Sequence, residues 1–214
     1  MTKPRCHYVD SQFPRYYHIT SRCVRRAYLM GNDPLTGKNY DHRKPLFLKR
    51  LKKLSQYFPV SVFGYSIMSN HFHMVVRYDP LASRTWSEEE VARRWCIAYG
   101  GTIDDDLSVE DFSEEQALRY HTLLSNPDRI ERCRKILGSL SYFMKHLKQP
   151  FALHANREDG CKGHFFEARF YSGVLLTQED VMACMAYVDL NPVLAGIARS
   201  LKASEHTAIH ERLY

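Results

Sequence analysis

Val60-Ser61-Val62-Phe63-Gly64-Tyr65-Ser66-Ile67-Met68-Ser69-Asn70-His71-Phe72-His73-Met74-Val75-Val76-Arg77-Tyr78 decides the architecture. Both halves are rich in β-branched and aromatic residues, and Ser69-Asn70 between them suits a tight connection, so the stretch predicts an antiparallel hairpin. Side chains alternate faces along a strand; His71 and His73 therefore share one face and Phe72 takes the other. Two neutral imidazoles held that way can grip one divalent ion. Two ordinary strand histidines would be spelled identically, so the pair needs support from elsewhere in the chain.

Upstream, Tyr16-Tyr17-His18-Ile19-Thr20-Ser21-Arg22-Cys23 also alternates and predicts a first strand, followed by the turn-rich Gly31-Asn32-Asp33-Pro34-Leu35-Thr36-Gly37. From Pro45, the residues Phe47, Leu48, Leu51, Leu54 and Tyr57 recur at helical spacing with lysines and arginines opposite, and Pro59 ends this helix. Downstream, Ser87-Glu88-Glu89-Glu90 opens a helix to about Tyr99, with its carboxylates where the helix dipole favours them, and Gly100-Gly101 stops it. Residues 102–128, with Asp104-Asp105-Asp106 and an amphipathic stretch near Glu114 to Leu124, read as a partly helical acidic insertion. Asp128 to about Gln149 predicts one long helix. His164 to Leu176 reads as partly extended, and Thr177-Gln178-Glu179-Asp180 has the form of an N-cap opening a helix that ends around Asn191-Pro192. The order strand, helix, strand, strand, helix, strand, helix predicts an α+β fold with one antiparallel sheet, in a single domain over 1–214 with 197–214 as a C-terminal extension.

Composition narrows the class. With 44% hydrophobic and 13% aromatic residues in 214, the chain has ample material for a core. No apolar run approaches the roughly 18 residues that a membrane span needs, and the N-terminus lacks the apolar core of a signal peptide, so the expectation is a cytoplasmic protein without a membrane partner. The six cysteines form no Cys-x-x-Cys pair, which argues against a zinc knuckle or a disulfide framework. The formal charge of +6 is unevenly spread: +11 over residues 1–86, −8 over 87–128, +5 over 129–170 and −2 over 171–214. Two basic segments thus bracket the acidic insertion, and a polyanion such as nucleic acid would suit them, although solvated basic faces look the same.

Tyr187 and Asn191 in Ala186-Tyr187-Val188-Asp189-Leu190-Asn191-Pro192 are four positions apart and so share one helix face. A phenol and an amide oxygen could approach one ion from there; a core-facing tyrosine and an asparagine capping the helix before a proline are the plainer account of the segment taken alone.

Two segments together resemble the single-tyrosine HUH transposases, most closely their REP-associated branch: Met68-Ser69-Asn70-His71-Phe72-His73-Met74-Val75-Val76, and Met185-Ala186-Tyr187-Val188-Asp189-Leu190-Asn191-Pro192-Val193-Leu194-Ala195-Gly196. Gly163-His164-Phe165-Phe166-Glu167-Ala168-Arg169-Phe170 is similar to a segment lying shortly before the tyrosine helix in that group, and the resemblance runs from about Tyr17 to Gly196 except for the acidic insertion. It implies a ferredoxin-like or RRM-like fold and a metal-dependent endonuclease that cleaves and rejoins single-stranded DNA beside hairpins. By the same resemblance Tyr187 matches the nucleophile, His71 and His73 match the metal ligands, and Asn191 occupies the position of a third polar ligand. The implied cofactor is Mg²⁺ or Mn²⁺, with no nucleotide cofactor, and both monomer and homodimer occur among such proteins.

Arg22, Arg25, Arg26, Lys145, Lys148 and Arg169 are candidates for phosphate contact, and Tyr142 and Phe143 for base stacking, Phe143 having core spacing as well. Glu167 could orient a ligand or pair with Arg169, and Asn70 serves the hairpin. The leading reading is a tyrosine transposase. Its rivals are a hairpin DNA- or RNA-binding regulator without catalysis, and a metal-dependent hydrolase of small phosphate esters in which Tyr187 is structural.

Overall fold

In the computed structural model, which describes residues 9–100 and 112–214, four strands form one antiparallel sheet: β1 (Arg15–Arg22), β2 (Val60–Ile67), β3 (His71–Tyr78) and β4 (Tyr171–Leu175). Their spatial order is β2-β3-β1-β4. A helix, α1 (Arg43–Tyr57), follows β1, and α5 (Leu140–Glu158) lies between β3 and β4, so the frame is the β-α-β-β-α-β arrangement of ferredoxin-like domains. The α+β class predicted from the pattern is the one observed.

The expected hairpin closes as its sequence indicates, with Met68 N–H bonded to His71 O at 2.9 Å. Its tip is pinned to the segment after β1, because Ser69 O accepts from Met30 N–H and Asn70 O from Cys23 N–H. Gly31 is required there: a Cβ would fall 2.2 Å from Ser69 Oγ. One bulge at Phe63 interrupts the β2–β3 pairing, which re-aims the rest of β2 so that Gly64 and Ser66 oppose Val75 and His73.

One face of the sheet carries the main core. Tyr17, Ile19, Phe72, Met74 and Val76 pack there against Phe47, Leu51 and Leu54 of α1 and Phe143, Leu147 and Phe151 of α5, with Phe47 touching both Phe72 and Phe151. Phe143 is wholly buried and belongs to this core rather than to a base-stacking surface, whereas Tyr142 is exposed. Helices α2 (Glu88–Tyr99), α3 (Glu114–Leu124) and α4 (Pro127–Leu137) extend the same layer, capped by Ser87, Ser113 and Asn126. The amphipathic stretch expected at Glu114 to Leu124 is α3; Asp104-Asp105-Asp106 lies outside the described residues, as does Cys6.

The single helix expected from Asp128 to Gln149 is two. Gly138 is packed so tightly that a Cβ would sit 2.2 Å from Ser83 Oγ, and Ser139 then caps α5 by accepting from Tyr142 N–H. Helix α5 also runs past Gln149 through Pro150 to Glu158. Pro150 has no N–H for the carbonyl one turn back, and that carbonyl, His146 O, accepts from Arg50 Nε at 2.6 Å instead.

The second sheet face is covered by α6 (Gln178–Leu194), which buries Val181 and Val188 on Val75. Thr177 is the N-cap its sequence suggested, and Asp180 completes a capping box with it. Helix α6 continues through Pro192 to Leu194 rather than ending at Asn191, so Asn191 is not its cap. A short C-terminal helix, α7 (Ala208–Leu213), docks beside β2, and its Arg212 pairs with Asp189 of α6 while Glu211 pairs with Lys52 of α1. Among the described residues no helix is long and apolar enough to cross a membrane.

One polar group inside this frame should dominate stability. Arg43 is fully buried and donates from Nε to Glu158 (3.0 Å), from Nη2 to Asp159 (2.5 Å) and from Nη1 to Leu29 O (2.9 Å). Removing it leaves Asp159 and Leu29 O without this donor and Glu158 with His42 alone, and because both carboxylates are partly solvated, Arg43→Ala is expected to cost about 2–3 kcal/mol in urea unfolding. A loss below about 1 kcal/mol, the scale of an exposed pair, would contradict this account.

Candidate active site

β3 is buried on both faces, and its alternation puts His71, His73 and Val75 under α6 while Phe72 and Met74 enter the main core. The neighbouring strand sets what lies beside them. Arg22 is directly opposite His71, Thr20 opposite His73, and His18 opposite Val75, which makes His18 the diagonal neighbour of His73. The His71 and His73 rings meet edge to face, 4.9 Å between centroids. His18 Nε2 lies 2.9 Å from His73 Nδ1.

Helix α6 brings Tyr187 over this group. Its ring stands nearly perpendicular to His73 at 5.5 Å and to His18 at 5.9 Å, centroid to centroid. Tyr187 is 46% exposed while His73 is 6% exposed, so the phenol forms the accessible rim of a site whose imidazoles form the floor. Tyr187 and His73, which His71 adjoins, therefore meet within one chain, across more than a hundred residues of sequence.

Hydrogen bonding fixes the state of His71. Asn70 Nδ2 donates to Arg26 O at 3.1 Å, which turns Asn70 Oδ1 toward His71 Nδ1 at 2.6 Å. A carbonyl oxygen can only accept, so the His71 proton is on Nδ1 and its Nε2 lone pair is free to bind. Asn70 thus serves the hairpin, as expected, and also orients His71. Burial, assisted by the Arg22 guanidinium, lowers the His71 pKa to about 4. Burial, then His71, His18 and Arg22, lower that of His73 to about 3. Burial lowers His18 as well. All three are uncharged at neutral pH, which is the ligating form of imidazole.

The residues fit a divalent ion through this chemistry: two neighbouring neutral imidazoles, one of them with Nε2 already presented by its hydrogen bond. Among the described residues no group of three or more His, Cys, Asp or Glu side chains is arranged to hold a metal. Remaining coordination would therefore come from oxygen of water, substrate or an amide. Asn191 is buried one turn after Tyr187; no hydrogen bond joins it to either imidazole, and its side chain makes none with another described residue.

The predicted basic residues divide into two patches. Arg22, Arg25 and Arg26 are exposed at the end of β1, and Arg25 and Arg26 are held at positive φ (53° and 55°) in the short turn Val24–Arg26, an uncommon conformation for non-glycine residues. Lys145, Lys148 and Arg169 line a groove of about 660 Å³ between α5 and residues 163–170. Lys145 faces the Tyr142 ring, and Lys148 donates to Ala168 O and covers the Phe166 ring. The two patches flank a common strip of backbone, since Glu167 N–H bonds Arg22 O and Val24 N–H bonds Phe165 O. Glu167 and Arg169 form no ion pair with each other; both are exposed, on a stretch of successive bends rather than a strand.

Sequence reasoning overlooked His18. The alternation of Tyr17 and Ile19 into the core does place His18 on the opposite face, but only the β1–β3 register puts it beside His73.

No protein-family model matches the chain, and no curated protein sequence matches it. The chain is similar to the solved structure of a REP-associated tyrosine transposase bound to a REP hairpin, at 14% sequence identity and a TM-score of 0.53. The match covers 100% of this chain and 86% of the other, and it is a likeness of fold.

Proposed function

We propose that this protein is a metal-dependent endonuclease and strand transferase acting on single-stranded DNA beside hairpins, in the manner of a tyrosine transposase. The observation that carries the reading is the accessible Tyr187 ring 5.5 Å from His73 in the same chain. A binding module has no chemical need for an exposed phenol against the buried His73 imidazole, with a second neutral imidazole, His71, beside it. The fold shared with a transposase whose structure holds a hairpin supports the choice of substrate.

His71 and His73 would hold Mg²⁺ or Mn²⁺, with Asn191 as a further oxygen donor. When bound, such an ion supplies positive charge that polarises the scissile phosphate and stabilises the leaving 3′ oxygen. Tyr187 Oη attacks phosphorus and the P–O3′ bond breaks; the phenol proton is balanced by the proton gained by the 3′-hydroxyl, and a 5′-phosphotyrosine link results. Attack by a 3′-hydroxyl on that link reverses the step, so rejoining requires no nucleotide cofactor. The two imidazole donors favour Mn²⁺ in intrinsic affinity, and abundance favours Mg²⁺ in a cytoplasmic setting.

Incubation with an end-labelled hairpin carrying single-stranded flanks, in Mn²⁺, tests the reading: a covalent protein–DNA adduct on the 5′ end of the downstream fragment supports it. A stable complex without adduct or cleavage would overturn it in favour of a binding protein. The six basic residues make a separate prediction. If each contacts one phosphate of a single strand, the slope of log K against log salt is about −4, a loss of roughly 300-fold between 50 and 200 mM. A flat response would remove the electrostatic footprint.

A further inference from the structure

We infer that His18 is the positioning residue of the ion site: it accepts a hydrogen bond from His73 Nδ1–H and so holds the His73 Nε2 lone pair toward the ion. The inference rests on the proposed metal-dependent reading and assigns the site a residue outside its ligand set.

The 2.9 Å contact between His18 Nε2 and His73 Nδ1 admits two arrangements, an ion shared between the two nitrogens or a direct hydrogen bond. Ring geometry separates them. Two imidazoles that share an ion direct their lone pairs at a common point and meet at an angle, with their centroids drawn in. Here the rings are within 16° of parallel, and their centroids are 5.1 Å apart. That separation is nearly the N···N distance plus the two ring half-widths, so the rings meet edge to edge along the N···N line. This is the geometry of an in-plane N–H···N bond.

The direction of the bond follows from the other half of the site. His71 is committed by Asn70 Oδ1 to carry its proton on Nδ1, leaving Nε2 as its donor atom. His73 can offer the equivalent atom only if its own proton is also on Nδ1, which requires His18 Nε2 to be the acceptor. Asn70 and His18 are then equivalent devices on the two ligands, each fixing tautomer and ring orientation from outside. The edge-on Tyr187 ring, 5.9 Å from His18, helps to hold the acceptor in place.

Long-range ¹H–¹⁵N correlation spectra of the metal-free wild-type protein, labelled in histidine, should show His73 as the Nδ1–H tautomer and His18 Nε2 as unprotonated. His73 with its proton on Nε2 would overturn the inference and needs no variant to be seen. Mn²⁺ binding followed by EPR gives the second arm. His18→Leu should weaken binding about 10–100-fold, and His18→Gln, whose amide oxygen reaches the same place, should recover most of that loss. Unchanged Mn²⁺ affinity in His18→Leu would also overturn the inference. Absence of Mn²⁺ binding in the wild type is a different result: it would sink the metal reading itself.

Discussion

Tyr187→Phe is expected to abolish the covalent protein–DNA adduct and to lower strand cleavage by at least about 10⁴-fold, the scale on which removing a nucleophile acts. The substitution is mild in every other respect. Tyr187 is 46% exposed, its hydroxyl makes no hydrogen bond with another described residue, and its ring contacts to His18 and His73 remain available to phenylalanine. Stability should therefore change by less than about 0.5 kcal/mol, as for surface positions generally. Hairpin affinity should also persist, because the phosphate contacts proposed for Arg22, Arg25, Arg26, Lys145, Lys148 and Arg169 do not involve the Tyr187 hydroxyl. Loss of reaction with intact folding and binding isolates the phenol oxygen as the missing part. Cleavage by Tyr187→Phe at a wild-type rate would instead point to water as the nucleophile and to the phosphoesterase reading.

His71→Ala should have the second largest effect, a fall in cleavage of about 10³-fold or more together with loss of Mn²⁺ binding. His71 is the cleaner of the two positions to alter. It is half-buried at the open end of the pair, and its loss frees Asn70 Oδ1 at a turn that water reaches. His73→Ala would in addition leave a cavity in a strand buried on both faces and deprive His18 of its partner, so lost activity would be mixed with lost stability. Hairpin binding by His71→Ala should stay within a factor of about five of wild type, because the electrostatic contacts are untouched. Equal losses of binding and cleavage would show that His71 supports the structure or the DNA contact rather than an ion.

Local chemistry made much of this legible in advance. The hairpin from Val60 to Tyr78 follows from two alternating runs about a short turn, and the same alternation puts His71 and His73 together. Thr177 announces α6 because an N-cap and the start of the helix are written in four consecutive residues. Long-range placement decided the rest. Nothing near His18 indicates that β1 lies beside β3 in a register that brings its ring to His73, since register is set by the partner strand and the core face. Where α4 ends and Ser139 caps α5, Gly138 lies against Ser83, 55 residues earlier in the chain, a contact no local pattern announces. Pro150 and Pro192 read as helix stops, yet both lie inside helices, and at Pro150 the released carbonyl is met by Arg50 from α1. Tertiary contacts overrode a local rule at each of these positions.

Tyr187 and the His71–His73 pair are proposed to form one reacting unit on DNA. Mass-spectrometric mapping of the adduct formed by wild-type protein with hairpin-flanked single-stranded DNA and Mn²⁺ tests it most directly. The expected product is a nucleotide joined through a 5′-phosphate to Tyr187, with none formed in the presence of a chelator. An adduct on any other residue, or cleavage that leaves Tyr187 unmodified throughout, would contradict it.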